Sequence, residues 1–296
     1  MNAIEDKISS KTKAILPVHL FGLSANMDPI NEIAKKHNLW VIEDAACGFG
    51  ATYKGRHVGT LGTTGCFSFH PRKAITTGEG GMVTTNDSEL WSAMWSYKDH
   101  GKSWEAVYER QHPPGFRWLH ESFGTNWRMI EMQAAIGRIQ LSRMEDWTDK
   151  RGVNAKAIAD ALEPFATEDG PIRLPEFRCA SCSDTACSKG CVHAYYKFYA
   201  YVRPQNLAPD WSRDRIVEEI MARGVPCFQG SCSEVYLERA FDGTGWRPEP
   251  RLPVAKELGE TSLMFLVQPT LTNGEMEKTT AVLSEVLSQA QKGDNA

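Results

Sequence analysis

Short apolar runs alternate with helix-period segments through the first half of the chain. Ala14 to Val18 is an apolar run of strand length, and Trp40 to Glu43, Cys66 to Phe69 and Met82 to Thr85 repeat the pattern. Between the first two, Asp28-Pro29 opens a helix to about His37, with a capping oxygen ahead of a proline at the first helical position. Asp87 caps another through Leu90, Met94 and Tyr97. Strands alternating with helices predict an α/β layer with a largely parallel sheet. A polar, proline-bearing loop from Gly101 to Gly124 interrupts the alternation. Beyond it, Ile130, Ala134, Ala135, Leu141 and Met144 recur at near-helical spacing from Trp127 to Trp147, and a second helix continues to Leu162. Gly170-Pro171 marks a break. A strand over Tyr195 to Val202, a helix from Ser212 to Arg223 stopped by Gly224, and a last helix opened by the capping box Thr272-Asn-Gly-Glu275 predict a smaller α+β domain. The expected division is 1–165 and 166–296.

Composition narrows the class. Of 296 residues, 42% are hydrophobic and 24% charged, enough for a sizeable core. A net charge of −4 provides no electropositive surface, so nucleic acid is not an expected partner. No apolar run has membrane-spanning length, and the first residues lack a basic n-region and an apolar h-region, so the expectation is a cytoplasmic protein with reduced cysteines.

The candidate chemistry centres on Lys73, which lies between the apolar run Cys66 to Phe69 and the glycine turn Gly78-Glu-Gly-Gly81. A lysine in that frame is a candidate nucleophile toward an aldehyde, because desolvation disfavours its charged form and frees its lone pair. Upstream, the run Leu39 to Ile42 closes on Glu43 and Asp44. A carboxylate at a strand's C-terminal end suits pyridoxal phosphate, whose ring nitrogen must stay protonated. A solvated lysine ending a strand, and an acid in Glu43 that caps the following turn, are the competing readings.

A second cluster is separate. Cys179, Cys182, Cys187 and Cys191 place four thiols in thirteen residues, in a Cys-rich loop over 178–191. Such spacing can wrap a structural zinc ion. Reduced thiols, redox disulfides or an iron–sulfur cluster are alternatives, and His193 either adds a ligand or begins the next strand. Trp91 and Trp95, at helical spacing, are read as core or interface aromatics.

Five segments occur together: Pro17-Val-His-Leu-Phe-Gly22, Glu43-Asp-Ala-Ala46, Ser68-Phe-His-Pro-Arg-Lys73, Gly78-Glu-Gly-Gly81, and Asn126-Trp-Arg-Met129 followed by Gln133-Ala-Ala135. In that order and approximate spacing the chain resembles the DegT/DnrJ/EryC1/StrS family of pyridoxal-phosphate-dependent sugar aminotransferases. The resemblance implies a fold type I transferase: a mixed large-domain sheet flanked by helices, here incomplete, plus a smaller α+β C-terminal domain. It implies that Lys73 carries the cofactor and moves the proton, that Asp44 pairs with the ring nitrogen, and that Ser68 binds the phosphate. Asn126 would reach a neighbouring subunit's phosphate in a homodimer with shared sites, unless it is only a helix cap ahead of Trp127. Cys47 stands where relatives often have Gln or His, and would line the cofactor. Lys73 itself distinguishes the chain from relatives in which histidine replaces lysine to give dehydratases.

The implied reaction moves an amino group from glutamate to a nucleotide-linked keto-deoxysugar, in the branch that makes 4-amino sugars such as perosamine, for surface polysaccharide or O-antigen. The loop from Gly101 to Gly124 is a candidate contributor to substrate binding. Relatives carry a further segment ahead of the strand at Ala14, with a Gly-Thr-type phosphate turn and a ring-stacking aromatic. The chain is therefore expected to be N-terminally truncated, and the alternative is a non-catalytic paralogue acting as a subunit or partner of a full-length homologue.

Overall fold

The computed structural model describes residues 2–115, 117–175, 190–230 and 232–292. These fold as two compact units, one of residues 2–145 with 190–194, the other of 146–175 with 195–292.

The first unit follows the order α1 (Asn2–Glu5), β1 (Ala14–Ile15), α2 (Met27–Lys36), β2 (Trp40–Asp44), β3 (Thr52–Tyr53), β4 (Arg56–His57), β5 (Thr64–Ser68), β6 (Gly81–Thr85), α3 (Ser88–Lys98), α4 (Trp104–Tyr108) and α5 (Glu131–Leu141). Its main sheet runs β1-β2-β5-β6. The first three strands are parallel, while β6 returns antiparallel from β5 and pairs Ser68 with Gly81. The sheet is thus mixed, because the twelve residues from Phe69 to Gly80 form a hairpin-like loop and hold no crossover helix.

Helix α2 packs Met27, Ile30 and Ala34 on Val41 of β2 and Tyr53 of β3. It starts at Met27, earlier than the proline signal suggests, and its N-cap residue Asn26 gives its side chain to another partner. The Tyr53 hydroxyl donates to Asn26 Oδ1 at 2.8 Å. The cap at Asp87 forms as expected, its carboxylate accepting from Leu90 N at 2.9 Å. The segment expected as an open loop after Gly101 instead contains α4, capped by Ser103 and anchored by the fully buried Ala106. Trp91 and Trp95 pack with Trp104 of α4 at the surface of the unit, where Trp91 stays 43% exposed, so they are not core residues.

The second unit contains most of α6 (Met144–Leu162), then β7 (Ile172–Arg173), β8 (Phe198–Val202), α7 (Arg213–Ala222), β9 (Cys227–Phe228), α8 (Pro253–Thr261), β10 (Ser262–Phe265) and α9 (Asn273–Ala290). Its sheet has the order β7-β8-β10-β9 with every pairing antiparallel. Ile158 and Leu162 of α6, Ile216 and Ile220 of α7, and Leu283 and Leu287 of α9 are fully buried with Phe198 and Phe265. Each such side chain contributes about 1.5–3 kcal/mol of transfer free energy, so this helix-covered face is the unit's main source of stability. The box predicted at Thr272 is present: its hydroxyl accepts from Glu275 N, and Glu275 accepts from Thr272 N at 2.7 Å.

Candidate active site

Strand β2 alternates its side chains across the sheet, so Val41 and Glu43 are buried while Asp44 sits half-buried at the C-terminal end. The Asp44 backbone is clamped from one side, Asp44 N donating to Pro17 O at 2.9 Å and His19 N to Asp44 O at 3.0 Å. On the other side Asp44 lies in register with Cys66 of β5. One carboxylate oxygen, Oδ1, accepts from Ala46 N at 3.0 Å and shapes the turn that follows. Among the described residues Oδ2 makes no hydrogen bond. Burial pushes the Cys66 thiol up, and the negative charge of Asp44 adds to the shift.

Cys47 lies in that turn, and its Sγ is 3.4 Å from Lys73 Nζ. Lys73 is half-buried in the β5–β6 loop, where Lys73 N donates to His70 O at 2.9 Å and the next two residues, Ala74 and Ile75, are buried anchors. The loop closes on itself. Thr76 Oγ1 donates to Phe69 O at 2.7 Å, Thr77 N donates to the same oxygen, and Phe69 N donates to Gly80 O at 2.9 Å. Ser68 ends β5, half-buried, with its Oγ accepting from His70 N at 3.3 Å. The structure thus joins Cys47 to Lys73 and puts Asp44 and Ser68 at the ends of neighbouring parallel strands, where open α/β sheets bind ligands.

Asn126 is elsewhere in the unit, exposed and bridged to Asp99. It is not a helix cap: α5 starts only at Glu131, and Asn126 Oδ1 accepts from Arg128 N at 3.3 Å within a local turn. The segment is held by Trp127 N donating to Lys98 O at 3.0 Å and by the Arg128–Asp99 ion pair.

The zinc expectation gains no support. Cys179, Cys182 and Cys187 lie outside the described residues. Cys191 belongs to the first unit, and its Sγ accepts from Lys54 N at 3.1 Å. Among the described residues no group of three His, Cys, Asp or Glu side chains is placed to hold a metal ion. His193 is half-buried, and desolvation lowers its pKa to about 3, so its ring is neutral at physiological pH.

Sequence reasoning missed a buried pair behind the site. Glu43, taken as a possible cap of its own turn, is fully buried and accepts from His19 Nε2 at 2.8 Å, Gly59 N at 2.7 Å, and Leu61 N and Gly62 N at 2.6 Å each. Ala25 N donates to His19 Nδ1, which assigns the ring proton to Nε2 and makes this a neutral histidine donating to a carboxylate. The signal for it was the position of Glu43 on the buried face of an apolar strand, where a lone charge needs several donors.

The residues present suit pyridoxal phosphate: a half-buried amine beside a thiol, a carboxylate oxygen left open at a strand end, and a hydroxyl on the neighbouring strand. The comparisons agree. Residues 1–284 match the DegT/DnrJ/EryC1/StrS aminotransferase family. The chain belongs to that family. It is 47% identical over 288 residues to the GDP-perosamine synthase of Caulobacter vibrioides, covering 96% of this chain and 68% of that protein. It is 30% identical over 294 residues to the dTDP-3-amino-3,4,6-trideoxy-alpha-D-glucose transaminase of Streptomyces venezuelae, covering 99% of this chain and 68% of that protein. Among solved structures, an aminotransferase from Psychrobacter cryohalolentis superposes with a TM-score of 0.91 at 57% identity, covering 97% of this chain and 71% of that one. The mixed sheet with its separate α+β unit is accordingly the fold type I transferase architecture.

Proposed function

We propose that the protein transfers an amino group from glutamate to the keto carbon of a nucleotide-linked deoxysugar, using pyridoxal phosphate. The observation that carries this reading is the Lys73–Cys47 contact at the C-terminal ends of β2 and β5, beside Asp44. When bound, pyridoxal phosphate supplies a reactive aldehyde and a ring that accepts the electron pair left as a C–H bond breaks. The Lys73 amine holds the cofactor between turnovers, then takes and returns the proton at the substrate carbon. Asp44 keeps the ring nitrogen protonated through its open oxygen, and Ser68 Oγ donates to the phosphate. Cys47 lines the site as a weak hydrogen-bond partner, since a thiol is a poor donor.

The relatives named as a GDP-perosamine synthase and a dTDP-sugar transaminase support a nucleotide sugar as acceptor; a 4-amino product such as perosamine, destined for surface polysaccharide such as O-antigen, is part of the proposal. A homodimer with shared sites is part of the proposal. Asn126 is exposed, and α5 turns Met132, Ile136 and Ile139 outward, as a second copy of the chain would require. No described helix is long and apolar enough to cross a membrane. The reading of a non-catalytic partner subunit has no observation of its own among the described residues.

The test supplies the purified protein with pyridoxal phosphate, ¹⁵N-glutamate and a keto-deoxysugar linked to GDP or to dTDP. Appearance of ¹⁵N on the GDP-linked sugar supports the proposal; a cofactor-loaded protein that labels neither sugar contradicts it.

A further inference from the structure

Helix α5 has an inverted pattern. Its apolar residues Met132, Ile136, Ile139 and Leu141 are exposed, whereas Gln133, Gly137 and Gln140, at i, i+4 and i+7, form the half-buried face. That face lies on the loop following Lys73. Gln140 Oε1 accepts from Thr76 N at 2.9 Å, and Gln133 Nε2 donates to Glu79 O at 2.9 Å. Between them, a Cβ at Gly137 would stand 3.0 Å from Thr77 Cγ2, so glycine permits the close approach. Gln133 Oε1 is occupied by Ile130 N, which fixes the start of the helix to the same contact.

Thr76 is the junction. Its backbone N–H goes to Gln140, its hydroxyl donates to Phe69 O, and the same Oγ1 accepts from Gly78 N at 2.9 Å. Only Ala74 and Ile75 separate it from Lys73. A helix that puts glutamines inward and isoleucines outward forgoes apolar burial on that face, and what it makes there are hydrogen bonds to the backbone of one loop.

We propose that Gln140, together with Gln133 and Thr76, positions Lys73: α5 clasps loop 74–80 and so sets where the Lys73 amine stands. The proposal rests on Lys73 being the reactive amine. Displacing a reacting group by about 1 Å can cost on the order of 100-fold in rate, so a loose loop is expected to lower turnover far more than sugar affinity.

The variants are Thr76→Val and Gln140→Leu, with Thr76→Ser and Gln140→Glu as their conservative counterparts, because serine keeps the hydroxyl and glutamate keeps an acceptor for Thr76 N. Two readouts apply: the labelling rate of Lys73 by an amine-reactive anhydride in cofactor-free protein, followed by peptide mass spectrometry, and kcat against KM for the sugar. The expected result is a severalfold change in Lys73 labelling and a fall in kcat of about 10- to 100-fold in Thr76→Val and Gln140→Leu. KM and melting temperature should change little, and both counterparts should restore the wild-type values. Wild-type labelling and kcat in Thr76→Val and Gln140→Leu would overturn the positioning role. So would equal losses in the conservative variants, which would mark a general folding defect. Wild-type protein in which Lys73 never bonds to pyridoxal phosphate would instead overturn the assignment of Lys73, whatever the labelling rates show.

Discussion

His19 Nε2 donates to Glu43 Oε2 across 2.8 Å, with both side chains fully buried. Glu43 precedes Asp44 on β2, so the two carboxylates point to opposite faces. One gathers His19 and the backbone of Gly59, Leu61 and Gly62. The other is left at the site. The pair therefore fixes the strand end that presents Asp44.

Removing the Glu43 carboxylate strips four donors of their acceptor at once. Glu43→Ala is expected to cost at least about 1–3 kcal/mol of folding stability, the penalty for leaving a buried donor without an acceptor. Urea denaturation measures it, and a loss below about 1 kcal/mol would show that the buried network is not formed.

The same group has a pH signature. Burial alone would raise the Glu43 pKa, but the bond from His19 and the N–H groups of Gly62, Gly59 and Leu61 outweigh it and hold the carboxyl below the usual range. A depressed folded-state pKa means that the contribution is complete above the unfolded value of about 4.3 and disappears as pH falls through the folded value. Wild-type stability should thus decline below about pH 4.3 more steeply than that of Glu43→Ala. Parallel slopes in denaturation at several acidic pH values would contradict this.

Gly65 of β5 faces the loop that Glu43 holds. A Cβ there would overlap the Gly59 carbonyl and Cα, which are backbone and cannot swing aside. Gly65→Ala is expected to destabilise by about 1–3 kcal/mol through that overlap. Gly274→Ala, where nothing lies within 4 Å, is the control in a thermal melt, and equal melting temperatures would refute the close approach.

Thiol chemistry separates the cysteines of the second unit. Cys227 is fully buried, and burial pushes its thiol up to about 12, with Arg213 offsetting only part of that. Cys232 is exposed. At neutral pH iodoacetamide should modify Cys232 in the folded protein and reach Cys227 only on unfolding, as read by peptide mass spectrometry. Labelling of Cys227 under native conditions would contradict its burial.

Much of this was legible from local signals. The helices capped by Asp87, Ser212 and Thr272 begin where side-chain oxygens meet an apolar period. Lys73, Asp44, Cys47 and Ser68 followed from motifs, and the structure supplies the Lys73–Cys47 contact that no spacing could. The elements passed over lack punctuation. Helix α8 passes straight into β10, Ser262 being already extended with no glycine or turn between, and β9 is only two residues long. The Gln133, Gly137 and Gln140 face escaped notice because periodicity searches for apolar residues inside, whereas α5 carries its apolar residues outside. Glu43 was similarly hidden, since its partners lie 16 to 24 residues away and outside any motif spacing.

The central claim is that the Lys73 amine holds pyridoxal phosphate, and reduction with borohydride after incubation with the cofactor tests it most directly. Peptide mapping is expected to find the reduced adduct on the peptide containing Lys73, with the visible absorbance of the bound cofactor lost in Lys73→Ala. An adduct on other lysines only, or absorbance that persists unchanged in a folded Lys73→Ala protein, would contradict it.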